Sequence, residues 1–167
     1  MIPLTFTSFF IYCGIAWGAN MLLNVLGIIK KISPRKLSFD QAIDYRKIYK
    51  GDRLLGESTT FLGLILCLTI SILLYIFTFS YIWSVIPILV YFGHALGSFI
   101  KRRMHKKGGE FVPFVDHGDY MFLTGIIFLY ANFITYDFFI LSLLLTYVLH
   151  PIVCFMAYKL KWREHPY

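Results

Sequence analysis

The 167 residues are 58% hydrophobic, 19% aromatic and only 15% charged, with a formal net charge of +7. A soluble domain of this length needs far more Lys, Glu, Arg and Asp on its surface, so the composition excludes that class and makes the bilayer the main surroundings of the apolar side chains. The length allows one membrane domain, residues 1–167, and no second, soluble one.

A hydrocarbon core of about 30 Å needs about 20 apolar residues per helix. The first predicted span covers residues 3–29. It has no basic leading region and no small-residue cleavage site, so it reads as a retained span and not a removed signal peptide. Gly14 and Gly18 in it form a GxxxG, followed by Asn20 and Asn24 at helical spacing. These read as packing residues, small ones for close helix approach and amides for bonds across helices. A polar loop over 30–58 follows. Residues 59–100 are apolar for about twice a spanning length, which predicts two helices, 59–79 and 81–100, with a tight turn around Phe79–Ser80–Tyr81. A second polar loop covers 101–119. Two more spans, 120–135 and 138–158, are separated by a turn at Thr135–Tyr136–Asp137. In the last, Ser142, Thr146 and His150 recur at i, i+4 and i+8 before Pro151, a stripe read as helix packing first and cavity lining second. Cys13, Cys67 and Cys154 lie in apolar stretches without a CxxC, which fits small packing residues better than a disulfide or zinc framework.

The basic residues test this division independently. Eight Lys and Arg lie between Lys30 and Arg53, five between Lys101 and Lys107, and three between Lys159 and Arg163, which is all 16. Five spans put these segments on one side, whereas four or six would scatter them over both. The fold expected is therefore an all-α bundle of five transmembrane helices, N-terminus outside and C-terminus cytosolic, in the cytoplasmic (plasma) membrane. Because the positive charge is held next to the bilayer, it points to anionic lipid head groups or phosphorylated substrates as partners and not to nucleic acid.

Polar detail collects in the two cytosolic loops. The first holds Asp44, Gly51, Arg53, Gly56 and the hydroxyl run Ser58–Thr59–Thr60 at the start of the second span. Such a run is either an ordinary N-cap or an anion site at a helix N-terminus, and no GxxxxGK[ST] is present. At the second loop, His94, Ser98 and Lys101 share a helix face, followed by Arg102 and Arg103. The basic trio reads as membrane anchors or as phosphate ligands, and His94 as a packed polar residue or a ligand. Asp116 and Asp119 lie i, i+3 at the start of the fourth span. One of them can serve as an N-cap, but a cap needs only one, and carboxylates at a membrane boundary are costly and usually functional. Two carboxylates suit Mg²⁺, which keeps several waters and binds substrate phosphates.

These blocks together resemble the CDP-archaeol synthase family, small five-helix membrane enzymes related to the phosphatidate cytidylyltransferases. The resemblance rests on Ala16-Trp-Gly-Ala19-Asn20, on Asp44 with Gly51-Asp-Arg53-Leu-Leu-Gly56-x-x-Thr59-Thr60-x-x-Gly63, on Ser98-Phe-Ile-Lys101-Arg102-Arg103, and on Asp116-x-x-Asp119-Tyr120. It implies transfer of CMP from CTP to a membrane lipid phosphate, yielding a CDP-activated lipid and pyrophosphate. It implies Asp116 and Asp119 as Mg²⁺ ligands with His94 beside them, and Lys101 as a catalytic phosphate-binding residue. Asn20, Asp44, Arg53, Gly56, Thr60, Ser98 and Arg102 are implied as substrate-binding residues. The chain departs from the family pattern at His94, where Asp is usual, and at Thr59, Phe61 and Leu62, where Lys, Trp and Arg are usual. The departures motivate an alternative, a non-catalytic relative that binds lipid or a partner protein. A transporter using Asn20, Asn24 and His150 ranks below both, since no charged residue lies deep in a span. The lipid's identity and a homodimer are left open.

Overall fold

The computed structural model describes residues 5–32, 41–106, 110 and 112–161. Pro3, Lys107 and Arg163, used above to bound the first span and the basic clusters, lie outside the described residues. Five helices follow in order: α1 Phe6–Ile32, α2 Phe61–Thr78, α3 Tyr81–Arg103, α4 Val115–Tyr130 and α5 Tyr136–Lys159. Among the described residues four, α1, α2, α3 and α5, are long and apolar enough to cross a bilayer. The chain is a multi-pass membrane protein. The remaining helix, α4, has 16 residues, the same length as the expected span 120–135, and rises about 24 Å at 1.5 Å per residue, somewhat less than a core of about 30 Å. It begins five residues earlier than expected, at Val115 and not 120, because its first turns are polar and yet helical.

Local chemistry sets the helix ends. Thr60 caps α2, its hydroxyl accepting from the Gly63 N–H at 3.4 Å, and Phe79 ends it in the left-handed region at φ 50°, its N–H donating to the Tyr75 carbonyl. The turn to α3 is thus the Phe79–Ser80 step expected. The α4–α5 turn falls earlier than expected: Thr135 is already the N-cap of α5, accepting from the Phe138 N–H at 3.4 Å.

The helices meet around Tyr12, Ala16, Ile86, Val90, Met121 and Phe128, all buried. The Tyr12 ring packs on Phe128 at 5.6 Å and on Phe138 at 5.2 Å, tying α1 to α4 and α5. Trp17 Nε1 donates to Thr146 Oγ1 at 3.0 Å, so part of the Ser142–Thr146–His150 stripe is packing. The GxxxG expectation is corrected: a methyl group at Gly14 or Gly18 would meet nothing within 4 Å. Close approach occurs instead between α3 and α4, where a Cβ at Gly93 would strike the backbone of Tyr120 and one at Gly97 the Asp119 carboxylate.

The all-α expectation also gains an exception. Ile48–Tyr49 (β1) and Asp52–Arg53 (β2) pair antiparallel across a Lys50–Gly51 turn with φ values of 51° and 85°, the left-handed pair that suits a two-residue hairpin. Asp44 holds this loop together from inside. Its carboxylate accepts from the N–H groups of Arg46 (3.0 Å) and Leu55 (2.8 Å) and from Arg53 Nη2 (3.3 Å). Arg103, at the end of α3, donates to the carbonyls of Tyr49 (2.6 Å) and Arg53 (2.8 Å), fastening the hairpin to the bundle.

Two outcomes follow from this packing. Gly93→Ala should lower the thermal midpoint in detergent, the overpacked contact costing at least about 1–3 kcal/mol, while Gly14→Ala leaves it unchanged. Asp44→Asn should expose the 41–60 loop to limited proteolysis without unfolding the helices, because it weakens charge-assisted bonds of about 1.5–3 kcal/mol.

Candidate functional site

At the end of the bundle that carries the basic residues, the helices enclose a cavity of about 200 Å³. The loop leading into α2 contributes Ser58 and Thr59, and α3 contributes Tyr91, His94 and Lys101. Asp116, His117 and Asp119 enter from α4, and His150 and Cys154 from α5. The volume lies below the roughly 300–1,000 Å³ of most small-molecule sites.

The absent side chains at Gly93 and Gly97 determine how the charged groups meet. With nothing between the helices, the Asp119 carboxylate lies flat against α3 at Gly97. One turn further along, Lys101 Nζ donates to both oxygens of Asp116, at 2.7 and 3.1 Å. The Asp116 carboxylate also accepts from the Val112 N–H at 2.6 Å, closing the loop before α4. Neither aspartate caps α4: the N-cap position is Phe114, at φ 67° with no side-chain cap bond. The capping alternative therefore does not account for the pair. Asp119 Oδ1 accepts from the Tyr120 N–H at 2.7 Å, and Oδ2 stands 3.6 Å from His94 Nδ1.

His94 bridges two helices. Its Nε2 lies 2.5 Å from Asn20 Oδ1 on α1, so the ring is held between an amide and the Asp119 carboxylate. Asn24 donates back to Asn20, to the carbonyl at 3.0 Å and the side-chain oxygen at 3.2 Å, and itself lines the cavity.

Of the residues singled out in the sequence, His94, Lys101, Asp116 and Asp119 share the cavity wall, with Asn20 directly behind His94. The others serve the walls from outside. Asp44 and Arg53 pair with one another in the loop, and Arg53 also meets Glu57 at 3.1 Å. Ser98 Oγ accepts from the Gly56 N–H at 2.8 Å, and a Cβ on Gly56 would lie 2.5 Å from that hydroxyl, so a larger residue there would displace the Ser98 side chain that joins the loop to α3. Thr60 is buried, capping α2 and accepting the Tyr91 hydroxyl on its carbonyl at 2.9 Å. Arg102 donates to the Lys106 carbonyl just beyond its own helix. Sequence reasoning placed the hydroxyl run correctly, although Ser58 and Thr59 line the cavity and Thr60 does not.

Glu110 and His117 line the cavity without having been singled out in the sequence, and His150, expected there as packing first and cavity lining second, lines it too. The Nδ1 atoms of His117 and His150 are 2.7 Å apart, and Cys154 Sγ lies 3.5 Å from His150. His117 sits between two aspartates in sequence and was legible as a neighbour of the site. The contact with His150 depends on how α4 and α5 are rotated, for which a single sequence carries no signal.

Among the described residues no three Asp, Glu, His or Cys side chains converge as a closed metal cage. Asp116, paired with Lys101, and Asp119, with side chains 26% and 10% exposed, lie on one cavity wall. That donor set fits a hard cation which keeps several waters and takes its other ligands from a phosphate. It does not suit a soft metal needing three or four protein ligands.

Comparison with known proteins is consistent in direction. Residues 37–167 match the CDP-archaeol synthase (CarS-like) family. A CDP-archaeol synthase of Staphylothermus marinus is 30% identical over 162 residues, covering 89% of this chain and 91% of the relative. One from Sulfolobus acidocaldarius is 28% identical over 135 residues, 75% of this chain and 82% of the relative. No solved structure matches. The matched span holds every cavity-lining residue of α2 to α5, and on this evidence the chain belongs to the CDP-archaeol synthase family.

Proposed function

We propose that the protein transfers CMP from CTP to a membrane lipid phosphate, releasing pyrophosphate and leaving a CDP-activated lipid for phospholipid synthesis. The observation that carries this reading is the meeting of Lys101, Asp116 and Asp119 with Ser58 and Thr59 around one cavity at the basic end of the bundle. In the reaction, an oxygen of the lipid phosphate attacks the α-phosphorus of CTP. The bond from that phosphorus to the bridging oxygen breaks, and pyrophosphate departs with the electron pair. Both reactants are anionic, so the site must offset charge on the nucleophile and on the leaving group.

Asp116 and Asp119 would hold Mg²⁺, which when bound supplies positive charge to the phosphates. Lys101, already at the cavity wall, is in position to exchange Asp116 for a phosphate oxygen. The hydroxyls of Ser58 and Thr59 stand just before α2, where the helix dipole favours an anion. His94, braced by Asn20, orients Asp119. Asp44, Arg53, Gly56, Thr60, Ser98 and Arg102 act on substrate through the loop and helix ends they hold, and are positioning residues in this reading. The names of the two relatives make an archaeol phosphate the first lipid to try, while diacyl and polyprenyl phosphates offer the same head group. The lipid enters sideways between helices with its chains in the bilayer. We place the N-terminus outside and the C-terminus in the cytosol, in the plasma membrane, because all 16 Lys and Arg fall in the last turns of α1, α3 and α5 or in the segments that follow them.

One observation favours a second reading, a non-catalytic relative that binds lipid or a partner protein. Lys101 already neutralises both oxygens of Asp116, so an ammonium stands where a metal would bind. The two readings diverge in a single assay: purified protein with labelled CTP, Mg²⁺ and a panel of lipid phosphates. The enzyme reading predicts labelled CDP-lipid together with pyrophosphate. Asp116→Asn and Lys101→Met should each lower the rate by about 10²-fold or more while the thermal midpoint stays within a few degrees. Absence of product with every lipid, or full activity of Asp116→Asn, contradicts it.

A further inference from the structure

The hairpin loop has a surface that the cavity does not use. Residues 45–51 are exposed without interruption. Within them Tyr45 is 67% exposed, Ile48 73% and Tyr49 49%, interleaved with the exposed bases Arg46, Lys47 and Lys50. No acidic residue falls in this tongue. The flanking acids are both engaged: Asp44 is buried in the loop, and Asp52 accepts from His105 Nδ1 at 2.6 Å. Single exposed apolar side chains are ordinary, but three of them in seven residues, alternating with cations, call for an explanation.

The level of the tongue relative to the helices supplies one. The Tyr45 ring packs on Phe61, the first residue of α2, at 5.5 Å. The Tyr49 ring lies 5.2 Å beneath the Arg103 guanidinium, which also covers Phe99 in the last turns of α3 at 5.4 Å. Both aromatic rings therefore sit at the ends of two adjacent helices that are long and apolar enough to cross a bilayer. Tyrosines are favoured where such helices leave the membrane, and Lys and Arg stems reach from there to the phosphates above. The tongue is held there rigidly, by Asp44 from inside and by the two Arg103 bonds from α3.

We propose that the 45–51 tongue is an interfacial anchor: Tyr45, Ile48 and Tyr49 insert at the boundary of head groups and acyl chains, and Arg46, Lys47 and Lys50 bind anionic lipid head groups of that leaflet. Each cation near an anionic surface strengthens the attraction by roughly fivefold, and the effect fades within a Debye length. This inference concerns a lipid surface and stands whether or not the cavity is catalytic.

The test places a nitroxide on Ile48→Cys in the full-length protein, with unsubstituted protein as the control for the three buried native cysteines. Its accessibility to oxygen and to a water-soluble nickel chelate is compared in vesicles of phosphatidylcholine with and without phosphatidylglycerol. The expected result is a label at head-group depth in the anionic vesicles, shifted toward water in the neutral ones by roughly fivefold or more in the ratio of the two accessibilities. Replacing Arg46, Lys47 and Lys50 together by Gln should abolish that difference. These side chains are exposed, so the fold is retained. A label that is water-accessible in both vesicles, or whose depth ignores lipid charge, overturns the proposal. So does dipolar broadening that persists on dilution in lipid, which would mean that a second copy of the chain covers the tongue.

Discussion

Where α3 meets α4, two positions on α3 have no side chain, and the placement of every charge at the site depends on that absence. At Gly93 the backbone of Tyr120 takes the space a Cβ would fill, and at Gly97 the Asp119 carboxylate does the same. The contact brings a carboxylate against a helix with little exposure to solvent, where an unpaired charge would be expensive. The ion pair of Lys101 with Asp116, further along the same face, and the His94 ring beside Asp119 make that placement tolerable. Separate the helices by one methyl group, and the carboxylates lose their shared wall with Lys101 and His94.

Around this contact the remaining parts act as supports. Asn20 holds His94 from α1, and Ser98 takes the Gly56 N–H, which closes the loop onto α3. That closure sets Ser58 and Thr59 opposite the carboxylates. A phosphate transfer between two anions needs this division of labour: fixed cations and hydroxyls for the phosphates, carboxylates for a hydrated metal, and walls that do not move when charge shifts. The same loop carries the basic and aromatic tongue, so one segment faces the cavity on one side and the lipid surface on the other.

Much of this was legible in the sequence for identifiable reasons. The apolar run over 59–100 is too long for one helix, and its break at Phe79–Ser80 is where α2 and α3 divide. The spacings of His94, Lys101, Asp116 and Asp119 put them on common faces, and all four line the cavity. What failed did so because the same residue type serves two purposes. Hydropathy treats the polar start of α4 as loop, although Asp116 to Asp119 are helical. Gly14 and Gly18 carry a packing spacing but meet nothing in this chain, while Gly93 and Gly97, with the same spacing, form the close contact. Asp44 and Arg53 pair with each other inside the loop, a contact that residues nine apart in a polar segment do not announce. The His117–His150 contact requires the relative rotation of two helices, which only the folded chain specifies.

If the carboxylate pair and Lys101 form a metal-assisted nucleotide site, nucleotide binding itself depends on the metal, and binding reports on that site without the lipid or the chemical step. Isothermal calorimetry of the purified protein with CTP should show binding that requires Mg²⁺ and disappears in both Asp116→Asn and Asp119→Asn, with both variants still folded. CTP binding of equal strength without Mg²⁺, or undiminished in either variant, would contradict the claim.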